Sequence, residues 1–237
     1  MAAWSQRKKL FSLTGIAFVL RLYLVLTAKG IDPDGTVYLM VAKDLVERNY
    51  YKAFSNVVPP FYPFLTAFLY PITGDLELAG RIVSLILGTL TILPVYFLGK
   101  RLFGESIATF SSVLAVFQPY LAQFSGSVLT ESTYTFLIAW GVLAGLKGFD
   151  SKSKGLMFLL GLLLGLAYLT RPEGIGFAVL ILIWIFLFDG FRFWQSLKEK
   201  FSMAFSLMAG VLIFAFPYIL FLHEVTGRWI LSRKVGV

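Results

Sequence analysis

Residues 203–222 read Met203-Ala-Phe-Ser-Leu-Met-Ala-Gly-Val-Leu-Ile-Phe-Ala-Phe-Pro-Tyr-Ile-Leu-Phe-Leu222, twenty positions without a charged side chain. As an α-helix this run is about 30 Å long, the thickness of a bilayer's hydrocarbon core. It is apolar on every side, so it has no face to turn toward water. The whole chain has the same character. Of its 237 residues 58% are hydrophobic and only 14% are charged, against about 25% charged in an ordinary globular protein. Too little polar surface is available to cover a soluble core of this size, and lipid must be part of the solvent.

Working outward, comparable apolar segments fall at about 10–28, 78–98, 106–124, 132–147, 155–170 and 174–189. With 203–222 they predict an all-α, polytopic membrane protein of about seven transmembrane helices, read as one transmembrane module over residues 1–237. Two segments lie near the lower limit of roughly 17 residues and must borrow flanking residues to span. Gly141 and Gly145, and again Gly161 and Gly165, are small residues four apart, a spacing that lets helix backbones approach closely. Arg7-Lys8-Lys9 followed by Leu10 to Ala28 is reminiscent of a secretory signal. The apolar run is too long for one and Thr27-Ala28-Lys29 is a poor cleavage site, so a retained first helix is expected.

Orientation follows from lysine and arginine. With the N-terminus in the cytoplasm, the inner loops carry Arg7, Lys8 and Lys9; Lys100 and Arg101; Lys147, Lys152 and Lys154; and Arg192, Lys198 and Lys200. The short outer connections carry almost none, Arg171 excepted, which is the positive-inside pattern. A cell membrane, inner or plasma, is the expected location. The formal charge of +8 is thereby assigned to loops beside anionic lipid. No basic run is interleaved with exposed aromatics, so nucleic acid is excluded as a partner. The chain has no cysteine, which rules out disulfides, thiolate nucleophiles and cysteine metal sites.

The long connection from Lys29 to Glu77, residues 29–77, is the first extracytoplasmic loop and carries six acids: Asp32, Asp34, Asp44, Glu47, Asp75 and Glu77. Thr36 to Arg48 reads as an amphipathic juxtamembrane helix, with Val37, Met40, Val41 and Leu45 on one side. The i,i+4 pairs Lys43–Glu47 and Asp44–Arg48 are expected on the other. Phe61 to Ile72 is apolar but too short to cross and is bracketed by prolines. It reads as interfacial or re-entrant, because a crossing there would invert every later loop against the charge rule.

Ionisable groups at membrane depth are functional suspects. Besides the loop acids these are Arg21, Arg81, Glu131, Arg171 and Glu173, all toward the outer side and expected to converge with Asp34 on one aqueous cavity. Asp34 lies in Ile31-Asp32-Pro33-Asp34-Gly35-Thr36, between the first helix and the amphipathic one. An acid at such a place is either a helix cap or a reactive carboxylate. Asp32 and Asp34 form an Asp-x-Asp, too short a signal to assign a metal, and a divalent cofactor is left open. His223, at the outer end of the last helix, reads as an interfacial residue. No inverted repeat or matching pair of broken helices points to a transporter or flippase.

The order of several motifs resembles the N-terminal membrane module of the GT-C glycosyltransferases that use lipid-linked sugars. Within these it is similar to the protein O-mannosyltransferase and lipid A aminoarabinose transferase relatives. The motifs are Asp34-Gly-Thr-Val-Tyr38-Leu, Ala42-Lys-Asp-Leu with an aromatic pair, and Pro59-Pro60-Phe-Tyr62-Pro63. They continue with Ala79-Gly-Arg81-Ile-Val-Ser through Tyr96-Phe-Leu-Gly-Lys-Arg-Leu-Phe-Gly104, Leu129-Thr130-Glu131-Ser132, Leu169-Thr170-Arg171-Pro172-Glu173-Gly174 and Thr226-Gly-Arg228-Trp229-Ile-Leu-Ser232.

The resemblance implies transfer of a sugar from a polyprenyl-phosphate carrier to an acceptor hydroxyl at the extracytoplasmic face, typically with inversion. It implies Asp34 as the catalytic acid residue, serving as general base, with Asp32, Tyr38 and Glu131 among the substrate-binding residues. Glu131 is given the orienting of the acceptor or a metal. Chemistry more than motif adds Arg81 and Arg171 as cations for the departing lipid phosphate, with Glu173 pairing Arg171. Two features depart from the pattern. Val58 stands where relatives often carry a charged residue or histidine before the Pro-Pro pair, which leaves phosphate or metal contact from that loop without its residue. Relatives also continue beyond such a module, so a C-terminal portion or a partner subunit is expected. The alternative reading is a non-catalytic lipid-carrier-binding or assembly module in the membrane.

Overall fold

The computed structural model describes residues 2–187 and 197–233, with side chains from Gln6 onward. Every element assigned among them is an α-helix: α1 (Ala2–Thr27), α2 (Pro33–Val46), α3 (Tyr50–Phe54), α4 (Phe61–Thr73), α5 (Leu76–Leu90), α6 (Ile92–Phe103), α7 (Glu105–Phe117), α8 (Pro119–Gly126), α9 (Glu131–Ser151), α10 (Lys154–Tyr168), α11 (Gly174–Leu187) and α12 (Leu197–Thr226). The chain divides into two units, one of Met1–Ala53 with Tyr62–Ala139 and one of Phe54–Phe61 with Trp140–Val237.

In the first unit, α5 and α6 run on through Thr91, whose backbone stays right-handed helical. Together they form one apolar stretch, Leu76–Phe103. The chain then reverses at Gly104, whose φ of +91° suits glycine, and α7 returns along α6. The two backbones touch where a Cβ on Gly99 would lie 2.9 Å from the Ala108 Cα. Between α7 and α8 the direction changes by 53°. Pro119 is the cause, since it has no N–H for the Ala115 carbonyl four residues back.

Arg21 of α1 repairs that break. Its Nη2 donates to the Ala115 carbonyl at 3.3 Å and its Nη1 to Val116 at 3.5 Å and to Ala17 at 3.3 Å, while Nε donates to Ser125 Oγ at 3.2 Å. The side chain is only 1% exposed, and the carbonyl end of α7 supplies the partial negative charge that its guanidinium needs. The sequence reading grouped Arg21 with the outer cavity. It is instead a buried brace, and the proline that creates its partners lies 98 positions away in sequence.

In the second unit, glycine spacing shows directly in the packing. A Cβ on Gly161 would sit 2.1 Å from the Leu207 carbonyl oxygen, and one on Gly210 2.4 Å from that of Phe158. Helices α10 and α12 therefore meet backbone to backbone. Gly141 and Gly145 of α9 accept the Leu160 side chain of α10, 3.3 and 3.1 Å from their would-be Cβ positions.

Three helices among the described residues are long and apolar enough to cross a membrane: Gln6–Thr27, Leu76–Phe103 and Leu197–Thr226. The bent pair α7 and α8 makes a fourth if taken as one span. This fits a membrane protein but corrects the expected seven. Helix α9 has the length, but it opens Glu131-Ser-Thr-Tyr-Thr and carries Lys147 and Asp150, which lower its apolar character. Helix α10 has only 15 residues. Helix α11 has 14, and the end of the expected 174–189 segment, with Arg192 beyond it, lies outside the described residues.

The first loop folds as short helices, as expected of a juxtamembrane segment. Lys43 and Glu47 pair at 3.7 Å. Asp44 does not pair with Arg48, contrary to expectation. It is 5% exposed and accepts from Lys52 Nζ at 2.7 Å, because α3 folds back over that side of α2. The buried side holds Tyr38, Val41 and Leu45, while Met40 is exposed. Helix α4, 13 residues long, leaves Phe64, Phe68 and Ile72 exposed at successive i,i+4 positions.

Candidate functional site

The link from α1 to α2 runs from Ala28 to Asp32. Asp32 is extended (φ −62°, ψ 150°) and occupies the N-cap of α2, with Pro33 opening the helix. Proline suits that position because its missing N–H would have no helical partner. Asp32 nevertheless makes no side-chain cap. Its backbone carbonyl accepts from Thr36 N at 3.2 Å, and the Thr36 hydroxyl donates to the Pro33 carbonyl at 2.6 Å. Asp34, in the first turn of α2, is exposed. Among the described residues neither Asp32 nor Asp34 makes a hydrogen bond or ion pair through its carboxylate. Asp75, by contrast, caps α5 in the ordinary way, accepting from Leu78 N at 2.6 Å. The capping role open to Asp34 from sequence is not taken.

This turn is held from three directions. A Cβ on Gly35 would lie 2.8 Å from the Val128 carbonyl oxygen and 2.7 Å from Ile31 Cγ2, so the first turn of α2 presses on the backbone of the segment before α9. Val128 also meets Gly80 of α5, at 3.1 Å from a would-be Cβ. Arg81 then ties the walls together. Its Nη2 donates to the Gly30 carbonyl at 2.8 Å and to Glu77 Oε1 at 2.6 Å, its Nη1 to the Gly126 carbonyl at 3.0 Å, and its Nε to Glu77 Oε1 at 2.9 Å. Four of the five guanidinium N–H groups are thus committed within the protein.

A hydroxyl relay continues toward Glu131. The buried Tyr62 hydroxyl donates to the Gly80 carbonyl at 3.0 Å and lies 3.2 Å from Ser84 Oγ, which lies 3.3 Å from the Leu129 carbonyl oxygen. Tyr38 packs edge-on against Tyr62 with ring centroids 5.6 Å apart. Burial above all pushes the Tyr62 phenol above its ordinary value. Tyr38 and Glu131 push the same way, against the Ser84 bond and Arg81. The group therefore stays a donor. Glu131 heads α9, where the helix N-terminus favours a carboxylate, and Thr130 Oγ1 lies 3.5 Å from its Oε2.

Beside the link a cleft of about 540 Å³ opens, lined by Leu24, Thr27, Ile31, Asp32, Gln123 and Ser127 among others. Gly30 and Gly126, the two carbonyl partners of Arg81, belong to its walls. Among the described residues no three His, Cys, Asp or Glu side chains gather where they could hold a metal ion.

The family model of dolichyl-phosphate-mannose-protein mannosyltransferases matches residues 57–231, the greater part of the chain. The chain belongs to this family. It is therefore a membrane glycosyltransferase of the mannosyltransferase type. Comparison with curated proteins finds no match. The matched span opens at the Pro-Pro segment and leaves the Asp34 turn before it.

In the second unit of the mannosyltransferase, Arg171 Nε lies 3.8 Å from Glu173 Oε2 in the turn after α10, both partly exposed. The same end of that unit gathers the Pro-Pro segment and the residues after α12. Phe61 N donates to the Leu169 carbonyl at 2.9 Å, the Arg233 guanidinium to the Ser55 carbonyl, and the Tyr168 hydroxyl to the Leu231 carbonyl at 2.5 Å. Val58, Pro59 and Pro60 are buried. His223 stacks on Trp229 with ring centroids 4.0 Å apart.

The structure thus brings Asp32, Asp34, Tyr38, Arg81 and Glu131 into one unit, around Val128 and Tyr62, and places Arg171 and Glu173 in the other. The sequence motifs include Tyr62 and Ser84 without giving either a role, and do not reach Gln123 or Ser127. A polar residue inside an apolar helix was the available signal for Ser84 and Gln123. None existed for Ser127, whose place depends on where α8 ends.

Proposed function

We propose that the chain transfers mannose from a polyprenyl-phosphate carrier to a hydroxyl of a protein acceptor at the extracytoplasmic face of the cell membrane. Asp34 is the general base. It takes the acceptor hydroxyl proton while that oxygen bonds to the anomeric carbon, and the bond from this carbon to the carrier phosphate breaks. Polyprenyl phosphate leaves, with inversion. The observation that carries this reading is the uncommitted Asp34 carboxylate on a turn braced by Gly35 against Val128 and by Arg81 through Gly30. A base on a rigid turn is in position without reorganisation, which general-base catalysis requires. Family membership supports the donor class and the protein acceptor.

Within this scheme Arg81 has one N–H left to offer, and Arg171, with Glu173 beside it at 3.8 Å, is a phosphate-binding cation of the second unit. Asp32, Tyr38 and Glu131 belong to the acceptor side. Residues 1–237 act as one module, with the first loop at 29–77 outside and the N-terminus inside. The sidedness is supported in the first unit by the basic end, where Lys9 and Lys100 both pair with Glu105 at 3.4 and 3.0 Å. It is supported in the second by Lys152 paired with Glu199 at 2.8 Å. The test reconstitutes the chain in vesicles with polyprenyl-phosphate-linked radiolabelled mannose and a Ser/Thr peptide on one side only. Transfer to peptide on the Asp34 side is expected. Binding of donor without transfer from either side would favour the non-catalytic module instead.

A further inference from the structure

The cleft beside the α1–α2 link has chemistry of its own. At about 540 Å³ it lies within the range of small-ligand sites. Among the described residues Asp32 is the single ionisable side chain on its wall, accompanied by the hydroxyls of Thr27 and Ser127, the Gln123 amide and the apolar Leu24 and Ile31. No lysine or arginine among the described residues lines it. A phosphate entering here would face the Asp32 carboxylate, while the guanidinium behind the wall, Arg81, is already paired with Glu77 and tied to two carbonyls. A hydroxyl-bearing segment that is neutral or positively charged would find an acceptor of hydrogen bonds, an amide and two hydroxyls. The cleft is also a built feature, since the Arg81 guanidinium spans its walls from Gly30 to Gly126 at 2.8 and 3.0 Å.

We propose that this cleft seats the acceptor peptide rather than the lipid-linked donor, and that Asp32 selects acceptors with basic rather than acidic residues near the target hydroxyl. This rests on the transfer reading given above. Asp32 is a binding residue, two positions before the proposed base in the same link-to-helix turn, so a peptide held by it is delivered beside Asp34. Its carboxylate is unused within the described residues, so Asp32→Asn removes charge without breaking an internal bond.

The test exploits the absence of cysteine from the chain. Gln123, an exposed lining residue, is replaced by cysteine in the full-length detergent-solubilised protein, and maleimide labelling is followed. The probes are a Ser/Thr peptide flanked by lysine, the same peptide flanked by glutamate, and polyprenyl-phosphate-mannose. The lysine-flanked peptide is expected to protect Cys at 123 at about tenfold lower concentration than the glutamate-flanked one. Asp32→Asn should bring the two concentrations together, and the donor should give no protection. Protection by the donor alone, or discrimination that survives Asp32→Asn, would overturn the assignment. Labelling requires no turnover, so a chain that fails to transfer mannose while its peptides still protect would sink the catalytic reading and leave the acceptor cleft standing.

Discussion

Replacing Arg81 by methionine separates two roles that its chemistry allows. If the residue is a brace, the substitution strips hydrogen bonds from the carbonyls of Gly126 and Gly30 and from Glu77. Gly126 is buried and Gly30 is exposed, so only the first carbonyl is left without water. Glu77, with its side chain 39% exposed, can rehydrate, and its charge adds little. One buried unsatisfied carbonyl costs about 1–3 kcal/mol, and the lost contacts of the side-chain stem add to this, for a total of about 2–4 kcal/mol. Arg81→Lys should recover part of it, since one ammonium cannot span all three partners in a fixed fork. Reversible denaturation in detergent reads the global cost. A cysteine at Lys29, next to the released Gly30 carbonyl, reads the local one, and its labelling should accelerate in Arg81→Met. Unchanged stability and labelling, together with weakened binding of the polyprenyl-phosphate donor, would refute the brace and return Arg81 to the phosphate.

Further outcomes follow from other contacts. Arg21→Met should destabilise by about 2–4 kcal/mol, and by measurably less in a Pro119→Ala background, where residue 119 regains an N–H for the Ala115 carbonyl. Additive losses in that double-mutant cycle would contradict the repair described for the α7–α8 break. Gly161→Ala should cost about 1–3 kcal/mol or more, because its Cβ meets the Leu207 backbone, whereas Gly141→Ala meets a flexible Leu160 side chain and should be mild. Equal stabilities of the two variants would argue against backbone contact between α10 and α12. Lys52 is held above its ordinary value by the Asp44 hydrogen bond and then by its charge. Its folded-state value is the raised one, so the α2–α3 tie is fully present below the ordinary lysine value and is lost only as pH rises through the folded one. Hydrogen exchange at Asn49–Ala53 in wild type and Lys52→Met should therefore differ at neutral pH; identical rates would count against the tie.

The membrane class and the family were legible because composition and motif order are properties of the chain itself. The number of spans was less so. Windows of apolar residues do not reveal that α9 starts with a polar turn, or that the helix after Lys154 stops at Tyr168. The glycine spacings were readable as close packing, but α12 as the partner of Gly161 was not, since Gly210 stands alone in its helix. At the site, the acid turn could be found from Pro33 and Gly35, and whether Asp34 caps its helix could not, because Asp32 competes for the same position. Arg21 and Arg81 looked alike in sequence as charges near the outer face. Ser125 and Glu77 apart, their partners are main-chain carbonyls, which carry no residue signature, so their use as braces appears only in three dimensions.

Mannose transfer, as proposed, depends on Asp34 as its base. The most direct measurement compares mannose transfer by wild type and Asp34→Asn in vesicles, with donor binding followed on the same samples. Donor binding within error of wild type and transfer lower by about 10²–10⁴-fold is the expected result. Undiminished transfer by Asp34→Asn would contradict the claim, whatever else the turn contributes.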